Sequence, residues 1–248
     1  MQPFLGIDIG GTFIKGSLVD TVKLELASER KKLPTPSPAT PGAIAATVAK
    51  LVQHFNYNGP VGVGFPSLIV DNVCLTANNI HKSWIGTDVQ KLFSDATGLP
   101  FQVINDADAA GIAEIKAVKE RKKGTTIFLT LGTGIGSALF HNNCFVPNTE
   151  LGTIEFKGAM LEKYASNSAR ERDNLSWNEY GKRLNEALQY LEYLFAPAQF
   201  ILSGGISNVF DDYKDQIDTR ADVSAATLRN LAGCIGAAMI AENGIEGL

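Results

Sequence analysis

Apolar and polar positions alternate from the first residues of the chain. After an apolar entry at Phe4-Leu5, Ile7 and Ile9 flank Asp8 with the period of a strand. Gly10-Gly11 turns the chain, and a second strand-like run extends from Ile14 through Leu18, so that residues 4–18 read as a hairpin. The design recurs further on. Thr126 to Leu131 is an apolar strand, Gly132-Thr133-Gly134 a turn, and Ile135 to Phe140 a returning strand. Two such hairpins suggest two related halves. Between them the pattern changes period. Thr40 as N-cap and Pro41 at the first helical position open a helix carrying Ile44, Val48, Leu51, Val52 and Phe55, which Asn58-Gly59-Pro60 stops. Val61 to Phe65 is a short buried strand ending at Pro66-Ser67. Val89, Leu92 and Phe93 mark a second helix closed by Gly98 and Pro100, and Phe101 to Ile104 the next strand, with Asn105-Asp106 at its end. Asp108 is expected to cap a helix through about Lys119. Lys23 to Ser37 reads as a surface connection and residues 141–175 as mostly loop. A long amphipathic helix follows from Trp177 to Phe195. After it come a strand from Phe200 to Leu202 ending in Ser203-Gly204-Gly205, and a closing Ala/Gly-rich helix from about Ala225 into Ala241.

This alternation of strands and helices is an α/β pattern, and composition is consistent with it. The 248 residues suffice for one large or two modest domains, and 45% apolar with 19% charged residues is an ordinary globular balance. A net charge of −4 excludes a globally basic nucleic-acid binder but leaves room for a local cationic groove. No basic n-region precedes the first apolar run, and no stretch approaches the ~18 apolar residues of a membrane span. Cys74, Cys144 and Cys234 are scattered and lack metal spacing, as expected of free thiols in a reducing cytoplasm. His54, His81 and His141 share no spacing that suggests a triad or a metal site.

The candidate chemistry sits at the turns. Gly10, Gly11, Thr12 and Lys15 offer backbone N–H groups, a hydroxyl and an ammonium to a phosphate, and Asp8 could hold a hydrated Mg²⁺ facing it. A plain hairpin turn is the competing reading. The loop is neither a Walker A sequence nor a Rossmann fingerprint, since a strand follows it. Asn105-Asp106 reads either as a helix cap or as a catalytic carboxylate, and Gly204-Gly205 either as a plain turn or as part of a donor site.

The runs Lys82–Asp88 (KSWIGTD), Asn105–Ala110 (NDADAA), Leu129–Phe140 (LTLGTGIGSALF), Val146–Gly152 (VPNTELG) and Arg170–Trp177 (RERDNLSW) resemble those of actin-like sugar kinases. More narrowly they resemble the ROK family and, within it, the subgroup that phosphorylates glucose from inorganic polyphosphate. The resemblance covers Leu5 to about Ala238. It implies two ribonuclease-H-like lobes with an interlobe cleft: a small lobe over 1–107, with a C-terminal helix of about 237–248 packing back on it, and a large lobe over 108–236. It also implies transfer of a phosphoryl group to the 6-hydroxyl of glucose, with polyphosphate as donor, ATP as a further donor, and Mg²⁺ shielding the donor's charge.

By the same resemblance Asp106 is the general base, and Asn79, Asn105, Asp106, Glu150, Thr153 and Glu155 bind the sugar. Asp8, Gly10, Gly11, Thr12, Lys15, Thr133, Gly134, Gly204 and Gly205 form the donor site. Lys122, Lys123, Arg170 and Arg172 are candidates for a cationic path along polyphosphate. The sequence departs from the family at Thr153, where His is usual, which leaves the sugar range open, and at Ser67, where Gly is common. No Cys lies between Cys144 and Cys234, so no structural zinc is expected. A cytoplasmic homodimer without nucleic-acid or membrane partners is expected. The alternatives are an ATP-dependent glucokinase or hexokinase of wider range, mannose included, and a non-catalytic sugar-binding protein.

Overall fold

The structure, a computed structural model, describes residues 2–78, 80–118 and 122–245. It divides into two compact units, Met1–Lys116 with Leu231–Leu248, and Ala117–Asn230. In the first unit β1 (Phe4–Ile9) pairs antiparallel with β2 (Phe13–Asp20), in the register Asp8↔Lys15 and Ile9↔Ile14 that a tight Gly10-Gly11 turn requires. The connection expected over 23–37 contains two edge strands, β3 (Glu25–Leu26) and β4 (Lys31–Pro34), both paired with β2. They are too short and too charged to show an alternation. Lys and Pro are also the residues that protect an edge from further pairing.

Helix α1 (Pro41–His54) buries Ile44, Val48, Leu51 and Val52 against the sheet, and β5 (Val61–Phe65) runs parallel to β1 as a wholly buried central strand. A small hairpin, β6 (Ile69–Val70) and β7 (Val73–Cys74), follows it. Helix α2 (Val89–Thr97) is capped by Asp88, whose carboxylate accepts from the Lys91 N–H, and ends at Gly98 in the left-handed conformation. Strand β8 (Phe101–Asn105) then completes the sheet order β3-β2-β1-β5-β8. Helix α3 spans Asp106–Ala117, so its cap is Asn105 and not Asp108. The helix runs without a break through the boundary expected at 107/108.

In the second unit β9 (Thr125–Leu131), β10 (Ile135–His141) and β11 (Cys144–Val146) form an antiparallel meander. The stretch read as loop holds a short hairpin, β12 (Glu155–Phe156) with β13 (Ala159–Met160), and two short helices, α4 (Leu161–Ala165) and α5 (Asn167–Arg172). Elements of two to six residues are too brief to display a period. Helix α6 (Trp177–Phe195) starts at a full capping box of Ser176 and Glu179. Strands β14 (Gln199–Ser203) and β15 (Asp222–Ala225) lie parallel to β9, giving the order β11-β10-β9-β14-β15. Each unit therefore has three antiparallel strands followed by two parallel ones, the duplication that the paired hairpins suggest. Aromatic side chains fill the core of the second unit, where Trp177 stacks on Tyr213 at 5.9 Å.

The closing helix is shorter than its Ala-rich sequence implies. Asp222–Ala225 is strand, and α7 spans Ala232–Asn243. It belongs to the first unit and is apolar on all sides, as a helix buried all round must be. It lies against the sheet so closely that a Cβ on Gly6 would strike the Cys234 carbonyl and one on Gly62 the Ala237 carbonyl. Gly236 meets the α3 backbone at Ala109 in the same way.

Candidate active site

The first unit gathers its polar groups at the ends of β1, β5 and β8. Asp8 occupies the penultimate position of β1. Lys15, opposite it on β2, donates to its Oδ2 at 2.8 Å; the Lys15 side chain is 27% exposed and that of Asp8 17%. The β1–β2 turn is closed by the Gly10 N–H on the Phe13 carbonyl at 3.0 Å, and the Thr35 hydroxyl holds the Gly10 carbonyl at 2.6 Å. Gly11 and Thr12 stand exposed at its tip, with open space around the Gly11 Cα. Below the turn is a cavity of about 450 Å³, lined in part by Gly10, Gly11, Thr35, Pro38, Pro66 and His81. Asn79 lies outside the described residues; its neighbours Asn78 and Ile80 line the cavity.

Asn105 and Asp106 stand where β8 becomes α3. The Asn105 side-chain oxygen accepts from the Ala107 N–H at 2.8 Å and the Asp108 N–H at 3.1 Å, and its amide donates to the Ser67 carbonyl at 3.2 Å. One residue thus caps α3 and ties it to the loop after β5. The Asp106 carboxylate also accepts from the Ala107 N–H at 2.8 Å, at a helix N-terminus that favours negative charge. The capping reading and the functional reading of this pair are therefore compatible: the cap orients the carboxylate. Ser67 itself bonds Thr76 and Cys74 through its hydroxyl, fixing the carbonyl that Asn105 uses.

In the second unit Thr133 and Gly134 form the tip of the β9–β10 hairpin, where the Gly132 N–H reaches the Gly134 carbonyl at 3.1 Å. The Glu162 carboxylate, on α4, lies over Gly134 so closely that a Cβ there would collide with it. Glu162 also bears on Glu150. Burial first, and the Glu162 charge second, push the Glu150 carboxyl above its ordinary range. Sequence reasoning missed Glu162 because α4 is five residues long; its signal is proximity to Gly134 and Glu150, which only the fold supplies. Thr153 is exposed and donates its hydroxyl hydrogen to the Glu150 carbonyl at 2.8 Å, and Glu155 is exposed at the start of β12. Gly204, with φ of 91°, ends β14 beside the Leu131 backbone, a position only glycine fits; Gly205 begins the turn that follows.

The expected cationic path fares differently. Arg170 stacks on Trp177 at 4.1 Å and donates to the Leu175 carbonyl at 3.1 Å. Arg172 makes a two-pronged bond to Asp173 at 2.8 and 2.9 Å, and together with Arg183 it holds that carboxyl far below its usual range. Lys122 pairs with Asp222. These three are engaged within the second unit, and Lys123 is left exposed.

Two sheets of identical strand order, each opening on a Gly/Thr hairpin, define the actin-like ATPase fold of sugar kinases. The ROK family model matches residues 4–152, and the chain belongs to that family. It is 41% identical over 236 residues to the polyphosphate glucokinase of Mycobacterium tuberculosis (strain CDC 1551 / Oshkosh), covering 94% of this chain and 89% of that one. The crystal structure of the inorganic polyphosphate/ATP-glucomannokinase from Arthrobacter sp. strain KM is similar with a TM-score of 0.93 and 45% identity, over 98% of this chain and 99% of that one. A ROK family glucokinase from Streptomyces griseus, solved with glucose and AMPPNP, is similar with a TM-score of 0.82 and 25% identity, over 98% and 100%.

Proposed function

We propose that this protein is a polyphosphate glucokinase: it transfers a phosphoryl group from inorganic polyphosphate, with ATP as a second donor, to the 6-hydroxyl of glucose. The observation that carries this reading is the likeness, over nearly the full chain, to two enzymes whose names specify polyphosphate.

A sugar hydroxyl is a poor nucleophile until a carboxylate takes its proton. Asp106, oriented by its bond to the Ala107 N–H, is the base. Asn105 supports it from the cap and, with Asn79, offers amide groups to the sugar. In the second unit Glu150 and Glu162 supply carboxylates for hexose hydroxyls, with Thr153 and Glu155 at the edge of that group. The exposed Gly11-Thr12 tip and Lys15 receive the donor's terminal phosphates, and the Thr133-Gly134 tip and Gly204-Gly205 serve the donor from the second unit.

Mg²⁺ would be held by Asp8. Among the described residues no cluster of three His, Cys, Asp or Glu could enclose a metal. A single half-buried carboxylate suits an ion that keeps most of its waters and its substrate phosphates. The chemistry it supplies is neutralisation of donor charge.

A wider sugar range is favoured by Thr153, which replaces an imidazole with a small hydroxyl, and by the likeness to a glucomannokinase. Mannose is therefore expected as a second substrate. A homodimer is supported by Tyr193 and Leu194, exposed at the end of α6, and a cytoplasmic setting by three free cysteines. Glucose 6-phosphate formation from polyphosphate, abolished in Asp106→Asn, tests the assignment.

A further inference from the structure

The antiparallel register places Lys32 of the edge strand directly opposite Lys15 of β2, and Lys15 directly opposite Asp8 of β1. Residues paired in this way share one face of a sheet, about 5 Å apart. The face is the one covered by α7, because Gly233 of that helix would meet the Asp8 carboxylate at 3.0 Å if it carried a Cβ.

Like charges placed opposite each other across a sheet are destabilising. Asp8 neutralises Lys15. Lys32 is exposed, and among the described residues no carboxylate lies within ion-pair distance of it. The protein therefore sets two lysines side by side at its phosphate hairpin, with Asp8 neutralising one of them, although its net charge is −4.

We infer that this pair begins a track for the polyphosphate chain: the phosphate units beyond the transferred one run from Lys15 on β2 onto β4, where Lys32 holds them. The inference rests on the polyphosphate reading above and adds the place where the rest of the polymer lies. Lys32 does not touch the transferred group, so it acts on binding and not on the chemical step.

The test compares Lys32→Gln and Lys32→Glu with Lys50→Gln, an exposed lysine of α1. KM and kcat are measured for long-chain polyphosphate and for ATP at two salt concentrations, with thermal melts to confirm folding. Lys32→Gln is expected to raise the polyphosphate KM about 5-fold and Lys32→Glu more than 20-fold, with kcat within about twofold, and with a larger effect at low salt. The ATP KM should change less than about twofold in both. A Lys32→Gln variant indistinguishable from Lys50→Gln overturns the track while leaving the donor assignment intact. An equal loss with ATP also overturns it, because Lys32 would then hold a phosphate common to both donors. A wild-type protein that does not use polyphosphate refutes the reading beneath both.

Discussion

Replacing Asn105 separates the two tasks its side chain performs. Its oxygen accepts from two N–H groups at the start of α3, and loss of such a cap costs about 1–2 kcal/mol. Its amide donates to the Ser67 carbonyl, a half-buried bond worth about 1 kcal/mol. Asn105→Ala removes both, about 2–3 kcal/mol, which in a chain of this size lowers the melting temperature by roughly 4–12 °C. Asn105→Asp keeps the accepting oxygen but loses the donor and sets a charge against the Ser67 carbonyl. It should cost about 1 kcal/mol and 2–4 °C. Because Asp106 follows immediately, the Ala variant should also lose at least about 10-fold in kcat, whereas the Asp variant should retain kcat better while its glucose KM rises. Thermal melts and glucose 6-phosphate assays on the two proteins measure both quantities. An Ala variant that melts within a degree of wild type, or an Asp variant as damaged as Ala in kcat, would refute the claim that the cap orients the base.

Asp106→Asn should fold and bind glucose yet lose about 100-fold or more in turnover, measured in a coupled assay. Glu150 has a folded pKa above its unfolded value, so the folded state holds the extra proton and stability falls as pH rises from about 4.5 through the folded pKa. Glu150→Gln should therefore melt higher than wild type at neutral pH, with the advantage vanishing below pH 4.5; a constant difference across pH would contradict the burial argument. Gly236→Ala must displace α7 from the Ala109 carbonyl, and a loss of more than about 3 kcal/mol in denaturant melts is expected. Gly134→Ala should instead leave stability nearly intact and lower activity by moving Glu162, which a melt and a rate measurement together separate.

The long periodic elements were legible in the sequence: both glycine hairpins, α1, α2, α6 and the parallel strands β5, β8 and β14 appear within a residue or two of their expected ends. The errors share a physical cause. Strand β4 carries Lys-Lys-Leu-Pro, a composition that suits an edge and hides its pairing, so the stretch on which the track depends looks like a plain connection. Strand β15 has no period of its own to announce it, because its pairing with β14 is decided by the tertiary partner, and the Ala-rich stretch from Ala225 turns α-helical only at Ala232. Helix α3 begins at Asp106 because Asn105 outcompetes Asp108 as cap. The Asp8–Lys15 pair follows from hairpin register and was implicit in the Gly-Gly turn. The approach of Glu162 to Glu150 and Gly134 joins segments twelve and twenty-eight residues apart, and no local pattern encodes it.

The central claim is most directly tested by donor competition. Purified protein receives glucose, Mg²⁺ and either long-chain polyphosphate or ATP, and glucose 6-phosphate is read with time. The account predicts a higher kcat/KM with polyphosphate. Turnover with ATP alone, and none with polyphosphate, would contradict it.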